Sequence, residues 1–154
     1  MSTPLPHDNI IPFKGSEKTK KEQVADMFDR IAGRYDFMNR FLSARIDISW
    51  RKKAINKFKK DNPQHILDVA TGTADMALMA YSLLKPQQIT GIDISVGMLE
   101  VGRKKIEKEG LTGKIQLHTG DAETIKFADH TFDAVMVAFG VRNFENLEKG
   151  LSEI

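Results

Sequence analysis

The chain has 154 residues, 41% of them hydrophobic, and no cysteine. It suits one domain with its own core and excludes a disulfide framework, a thiolate nucleophile and a cysteine zinc site. A net charge of only +2 argues against a dedicated nucleic-acid binder, and with neither a basic, apolar leader nor a membrane-length apolar run the expected setting is the reducing cytoplasm.

Residues 1–20 read as an irregular N-terminal arm. From Glu22 onward, Val24, Met27, Phe28, Ile31, Tyr35, Met38, Phe41 and Leu42 recur at helical spacing, which predicts one amphipathic helix or two short ones broken near Gly33. A second helix is expected from Ile48 or Ser49, carrying Trp50, Ala54, Ile55 and Phe58 and stopped at Pro63. Residues 21–62 thus form an N-terminal helical segment. From Lys14 to Lys60 the chain holds 14 Lys/Arg against 6 Asp/Glu. This is either a set of solvated helix faces or a basic surface that meets anionic lipid or an acidic partner.

After Pro63 the texture changes to strand-like runs, "HILDVA", "QITGIDI", "KIQLHT" and "FDAVMVAF". Helical stretches fall between them at about 75–84, 95–109 and a short piece near 122–126, and a further helix opens with Leu147, Leu151 and Ile154. Alternating strands and helices predict a parallel sheet covered on both faces, a doubly wound, Rossmann-like α/β fold over residues 63–154.

Ligands of such sheets sit at the carboxyl ends of the strands. The first end reads Asp68, Thr71, Gly72, Thr73, Ala74, Asp75. A pyrophosphate would want several glycines and no acids there, so this turn suits a cation better than a phosphate. The second end supplies Asp93 and Ile94, where a carboxylate can accept two hydrogen bonds from a ribose diol. The third supplies Asp121 and Ala122, where a carboxylate can accept from an exocyclic amine and a backbone can meet an adenine edge. Ribose, adenine and a positive centre without phosphate describe S-adenosylmethionine. An Asp at a helix start is by itself only a common cap; three acids at three successive strand ends are more specific.

"LDVATGTAD", "GIDIS" and "GDAE" resemble the cofactor motifs of class I S-adenosylmethionine-dependent methyltransferases. "YDFMNRFLSARIDISW", Tyr35 to Trp50, resembles the signature of the C-methyltransferases that finish menaquinone and ubiquinone biosynthesis, the UbiE/MenG family, and "FGVRN", Phe139 to Asn143, resembles that family's fourth strand end. Three positions depart from the pattern: Asp47 stands where the family has a His, Ala74 where it has a Gly, and Ala138 where a Ser is frequent.

The resemblance implies methylation of a ring carbon on a reduced polyprenyl quinone precursor, demethylmenaquinol by preference, with S-adenosylmethionine as cofactor and no metal. It implies a catalytic group of Arg142, Asn143, Tyr35 and Asp36. Arg142 and Asn143 would hold the quinol oxygen, and Tyr35, Asp36 and Asn39 would wall the substrate side. Cofactor contacts are expected from Asp68, Gly72, Thr73, Asp75, Asp93, Ile94, Asp121, Ala122 and Ala138. Read without the resemblance, Tyr35, Met38 and Phe41 are equally a core stripe, and Arg142 a local cap or ion pair. A methyltransferase acting on RNA or another small molecule, or a non-catalytic S-adenosylmethionine-binding scaffold, would share the strand-end motifs; the Tyr35–Trp50 stretch discriminates. A substrate living in the bilayer implies peripheral contact with an anionic membrane surface.

The sheet of this methyltransferase class ordinarily has seven strands, and four are legible here. The chain stops at "LEKGLSEI" within a helical pattern and lacks a helix-stop signal. The expectation is therefore a chain truncated after its fourth strand, from a relative of about 240 residues, with an open sheet edge through which copies associate into homo-oligomers.

Overall fold

The computed structural model describes residues 10–43 and 46–154; the first nine positions of the expected arm, and residues 44 and 45 within the Tyr35–Trp50 stretch, lie outside the described residues. Residues 10–19 are irregular, and helix α1 spans Lys20–Leu42. Its start is fixed by a capping box in which the Thr19 hydroxyl accepts the Glu22 amide and the Glu22 carboxylate accepts the Thr19 amide. Gly33 does not break it, so the apolar stripe belongs to one helix. Helix α2, Ile46–Asn56, begins two residues earlier than its apolar pattern suggests, because buried Asp47 accepts from Ser43 Oγ at 2.6 Å and pairs with Arg51 one turn on at 3.4 Å.

Four parallel strands follow: β1 His65–Val69, β2 Gln88–Asp93, β3 Ile115–Thr119 and β4 Ala134–Val137. Between them run α3 Asp75–Leu84 and α4 Val96–Lys108, and α5 Leu147–Ser152 comes after β4. The sheet order is β3-β2-β1-β4. The chain steps from β1 through β2 to β3 in one direction, then returns to the other side of β1, so the switch point lies between β1 and β4. Val69 is level with both Ile92 and Val137, which brings three strand ends to one rim.

Alternation along β1 divides the core. Ile66 faces a cluster with Ile55, Ala77, Ala80, Leu99 and Ile106, contributed by α2, α3 and α4. Leu67 and Val69 face a smaller one with Ile92, Ala122 and Phe144. Loops and α5 cover that second face. The expected short helix near 122–126 is instead a turn closed by an Asp121–Thr124 bridge, because the Asp121 carboxylate accepts the Glu123 amide and the backbone turns before a helix can start. The fourth strand ends earlier than its apolar run, since Phe139–Asn143 winds into a short 3-10 helix.

Helix α1 lies across α4. Asp29 accepts from Ser95 Oγ at 2.6 Å and from the Gly97 amide at 2.8 Å, and a methyl group added to Gly97 would come within 3.1 Å of Asp29. A small residue is what lets the two helices approach.

Candidate functional site

A cleft opens over the carboxyl ends of the strands, roofed by α1. Of the residues picked out from the sequence, Tyr35, Asp68, Gly72, Thr73, Asp75, Asp93, Ile94, Asp121, Ala122, Ala138, Arg142 and Asn143 all line it. Asp36 does not. It stands behind Thr73, accepting from Thr73 Oγ1 at 2.5 Å and from Lys105 Nζ at 2.9 Å, and so ties α1 to the turn after β1.

That turn is unusual in its backbone. Ala70, Gly72 and Ala74 have φ of 54°, 58° and 64°, a left-handed conformation that glycine adopts freely and alanine only at a cost. The turn is held by its acids. Asp68, fully buried, accepts from Thr71 Oγ1 at 2.6 Å. Burial, opposed by that hydrogen bond and reinforced by the Asp93 charge, pushes its carboxyl up to about 7. The Asp93 carboxylate accepts the amides of Gly72 at 2.8 Å and Ser95 at 2.9 Å; burial outweighs these bonds and raises its affinity for a proton.

At the α3 end of the turn, burial would raise Asp75, but Lys105, Arg51 and Arg40 outweigh it and hold its carboxyl below the usual range. Lys105 and Arg51 both reach the Asp75 carboxylate, Arg51 at 3.2 Å. At the opposite end of the cleft, Lys21 of α1 donates to Asp121 at 2.5 Å and lies 3.5 Å from Glu123. Burial lowers Lys21, and these two carboxylates more than offset it, so its pKa is raised.

Sequence reasoning missed several lining residues: Lys21, Phe28, Arg51, Glu123, Phe139 and Glu145. Arg51 directly follows the Trp50 that closes the signature stretch, and Glu123 and Phe139 stand within the "GDAE" and "FGVRN" runs, all usable signals; Lys21 carries none. Buried Glu123 accepts the amides of Glu145 and Asn146 at 2.8 and 3.0 Å, closing the far wall.

Besides Asp68, the lining holds five acids, Asp75, Asp93, Asp121, Glu123 and Glu145, against three cations, on Lys21, Arg51 and Arg142. A phosphate would be repelled by such a rim and a sulfonium centre would not. The Asp93 carboxylate has acceptor sites beyond the backbone amides it already accepts. At Gly72 an added methyl would meet only Met98, at 3.6 Å, inside the cleft, so its backbone is bare to a ligand. These features fit S-adenosylmethionine. Among the described residues, no group of three or more His, Asp or Glu side chains is arranged to hold a metal ion.

Comparison with known proteins agrees with this geometry. Residues 16–154 match the ubiE/COQ5 methyltransferase family. A demethylmenaquinone methyltransferase of Bacteroides fragilis is 54% identical over 97% of this chain and 60% of its own. The ubiquinone/menaquinone biosynthesis C-methyltransferase UbiE of Geotalea daltonii is 46% identical over 92% of this chain and 60% of its own. The chain thus spans about 60% of the length of these curated relatives. Among solved structures, a Methanococcus maripaludis protein assigned as an S-adenosyl-L-methionine-dependent methyltransferase superposes with a TM-score of 0.63 at 22% identity, over 92% of this chain and 60% of that one. The fold is that of the class I methyltransferases.

Proposed function

We propose, from the premise that the chain belongs to the ubiE/COQ5 methyltransferase family, that it methylates a ring carbon of a reduced polyprenyl quinone precursor, demethylmenaquinol to menaquinol, using S-adenosylmethionine. The observation that carries this reading is the single cleft in which the acids of three successive strand ends meet Tyr35, Arg142 and Asn143. Bound there, the cofactor supplies an electrophilic methyl group on a sulfonium centre.

The chain's own residues do the rest by holding and polarising. Asp93 would accept from the ribose diol, Asp121 and the Ala122 backbone would meet the adenine, and Thr73, Asp75 and Ala138 would bound the amino-acid end. Arg142 has its guanidinium 5.7 Å from the Phe139 ring centroid. Beside a quinol hydroxyl it would favour the ionised oxygen, which raises electron density on the ring carbon to be methylated, while Asn143 would fix the ring's orientation. Tyr35 stands edge-on to Phe28 at 5.7 Å between centroids, an aromatic wall suited to a flat ring. In this reading residues 21–62 form the substrate side and residues 63–154 the cofactor side.

Contact with an anionic membrane belongs to the same reading. No helix among the described residues is long and apolar enough to cross a membrane, but Phe37, Phe41, Leu42, Ile46 and Trp50 are exposed on the α1–α2 corner, in the segment that carries the basic surplus. Apolar side chains among cations suit an interface.

The test is methyl transfer from labelled S-adenosylmethionine to demethylmenaquinol kept reduced. Labelled menaquinol is the expected product. Its absence with cofactor binding intact would overturn the substrate assignment.

A further inference from the structure

Arg142 is exposed on the turn past β4, and the chemistry proposed above places its guanidinium beside a quinol oxygen. Holding an arginine side chain in one direction costs rotamer entropy, and a side chain oriented before the substrate arrives spares that cost at binding. The 3-10 helix Phe139–Asn143 supplies a support. Such a helix turns about once every three residues, so side chains three apart stand one above the other. Phe139 and Arg142 have that spacing. The Arg142 guanidinium carbon lies over the Phe139 ring, 5.7 Å from its centroid, within reach of a cation–π attraction.

The ring is held in turn from a distant part of the chain. Arg51 of α2 also stands over it, at 5.9 Å. The Arg51 side chain is 10% exposed, and its terminal nitrogens lie 3.4 Å from Asp47 and 3.2 Å from Asp75. These two carboxylates offset its charge, which lets a second guanidinium approach the same ring. The backbone beside the ring is pinned as well: Gly140 packs so closely on the turn after β1 that an added methyl group would lie 2.2 Å from Ala70 Cβ. One run of contacts therefore leads from Asp47 and Asp75 through Arg51 and Phe139 to Arg142, and all of these but Asp47 line the cleft.

We propose that Phe139 is a positioning residue for methyl transfer: its ring, steadied by Arg51, aims the Arg142 guanidinium at the quinol oxygen. The inference rests on the quinol reading above. Phe139 acts here through Arg142 and not by touching the substrate, which separates it from Tyr35 and Phe28, whose rings form the aromatic wall. Asp47, standing where the family signature has a His, sits at the root of the same support.

The experiment is a kinetic cycle with labelled S-adenosylmethionine and reduced demethylmenaquinol, run on Phe139→Leu, Phe139→Tyr, Arg142→Gln and the variant carrying both Phe139→Leu and Arg142→Gln. Binding of S-adenosylhomocysteine by calorimetry accompanies each. Phe139→Leu stays apolar but has no ring face. It should lower kcat roughly 10- to 100-fold, the loss that misplacing a group at the reacting centre brings. The KM for quinol and the affinity for S-adenosylhomocysteine should stay within about twofold, and the second of these reports that the variant is folded. Phe139→Tyr keeps the ring and should retain most of the wild-type kcat. The double variant should be no slower than Arg142→Gln alone, because a residue that acts only through Arg142 adds nothing once Arg142 is gone. Losses that multiply in the double variant, a matching loss of S-adenosylhomocysteine affinity in Phe139→Leu, or an unchanged kcat in that variant would overturn the positioning role while leaving the quinol reading standing. Arg142→Gln turning over as fast as wild type would overturn the roles of both residues. Absence of turnover by wild-type protein would overturn the quinol reading and the positioning role together.

Discussion

The Asp93 carboxylate accepts the Gly72 amide at 2.8 Å across the tops of β1 and β2, so the acid at one strand end holds the backbone of the turn at the next. On the proposed cofactor reading, Asp93→Ala removes a ribose acceptor and loosens the turn at once. We expect S-adenosylmethionine affinity to fall by about 10- to 100-fold, the equivalent of roughly 1.5–3 kcal/mol, with a lower melting midpoint. Unchanged affinity by calorimetry would remove Asp93 from the cofactor site.

A methyl group added at Gly140 would lie 2.2 Å from Ala70 Cβ and 3.6 Å or more from anything else. Gly140→Ala should destabilise by about 1–3 kcal/mol, as overpacking does. Ala70→Gly removes the colliding methyl and frees a left-handed position, so the double variant should recover most of the loss. Additive losses in urea unfolding would show that the two turns do not meet at this point.

The folded chain keeps a proton on Asp68, whose carboxyl is pushed up to about 7, that an unfolded chain releases near pH 4. The group favours the fold at low pH, and its contribution is lost as pH rises from about 4 to about 7. Asp68→Asn keeps an acceptor for Thr71 and abolishes the titration. The stability of wild type minus that of Asp68→Asn should therefore fall across this window and level off above about pH 8. A difference that does not change with pH would mean Asp68 ionises as an exposed Asp does.

Phe37 and Phe41 are 72% and 74% exposed and stack at 6.1 Å, so replacing both with Ser should leave the fold intact. Wild-type protein should float with anionic vesicles at low ionic strength and less so at high salt. The double variant should float several-fold less. Wild-type protein that stays unbound in every salt condition would make the basic α1–α2 surface a solvated one.

The parallel sheet and the acidic strand ends were legible because each depends on local pattern. Ile66, Leu67 and Val69 announce a buried strand, and the turn chemistry after Asp68 announces its end. The span of α3 was read correctly for the same reason. What escaped depends on partners distant in the chain. Arg51 meets Asp75 across 24 positions and Lys105 meets it across 30, separations at which no periodicity exists. Lys21 was one more surface lysine until the fold brought it to Asp121, 100 residues on. Near Asp121 the error was local: apolar Ala122 and Ile125 suggest a helix, but the aspartate binds its own downstream amide.

The roof of the cleft is fastened chiefly by charge. Apart from Val24 and Ala32, α1 buries little apolar surface; Lys21 grips Asp121 at one end, and Asp36 grips Thr73 and Lys105 toward the other. Ionic fastenings of this kind let go and re-form without disturbing the apolar layers beneath. A methyl donor is spent after one transfer and has to be exchanged on every cycle. With polar ties at Lys21, Asp29 and Asp36, the cofactor exchange that the proposed function requires should respond to salt more than to changes in the apolar layers beneath.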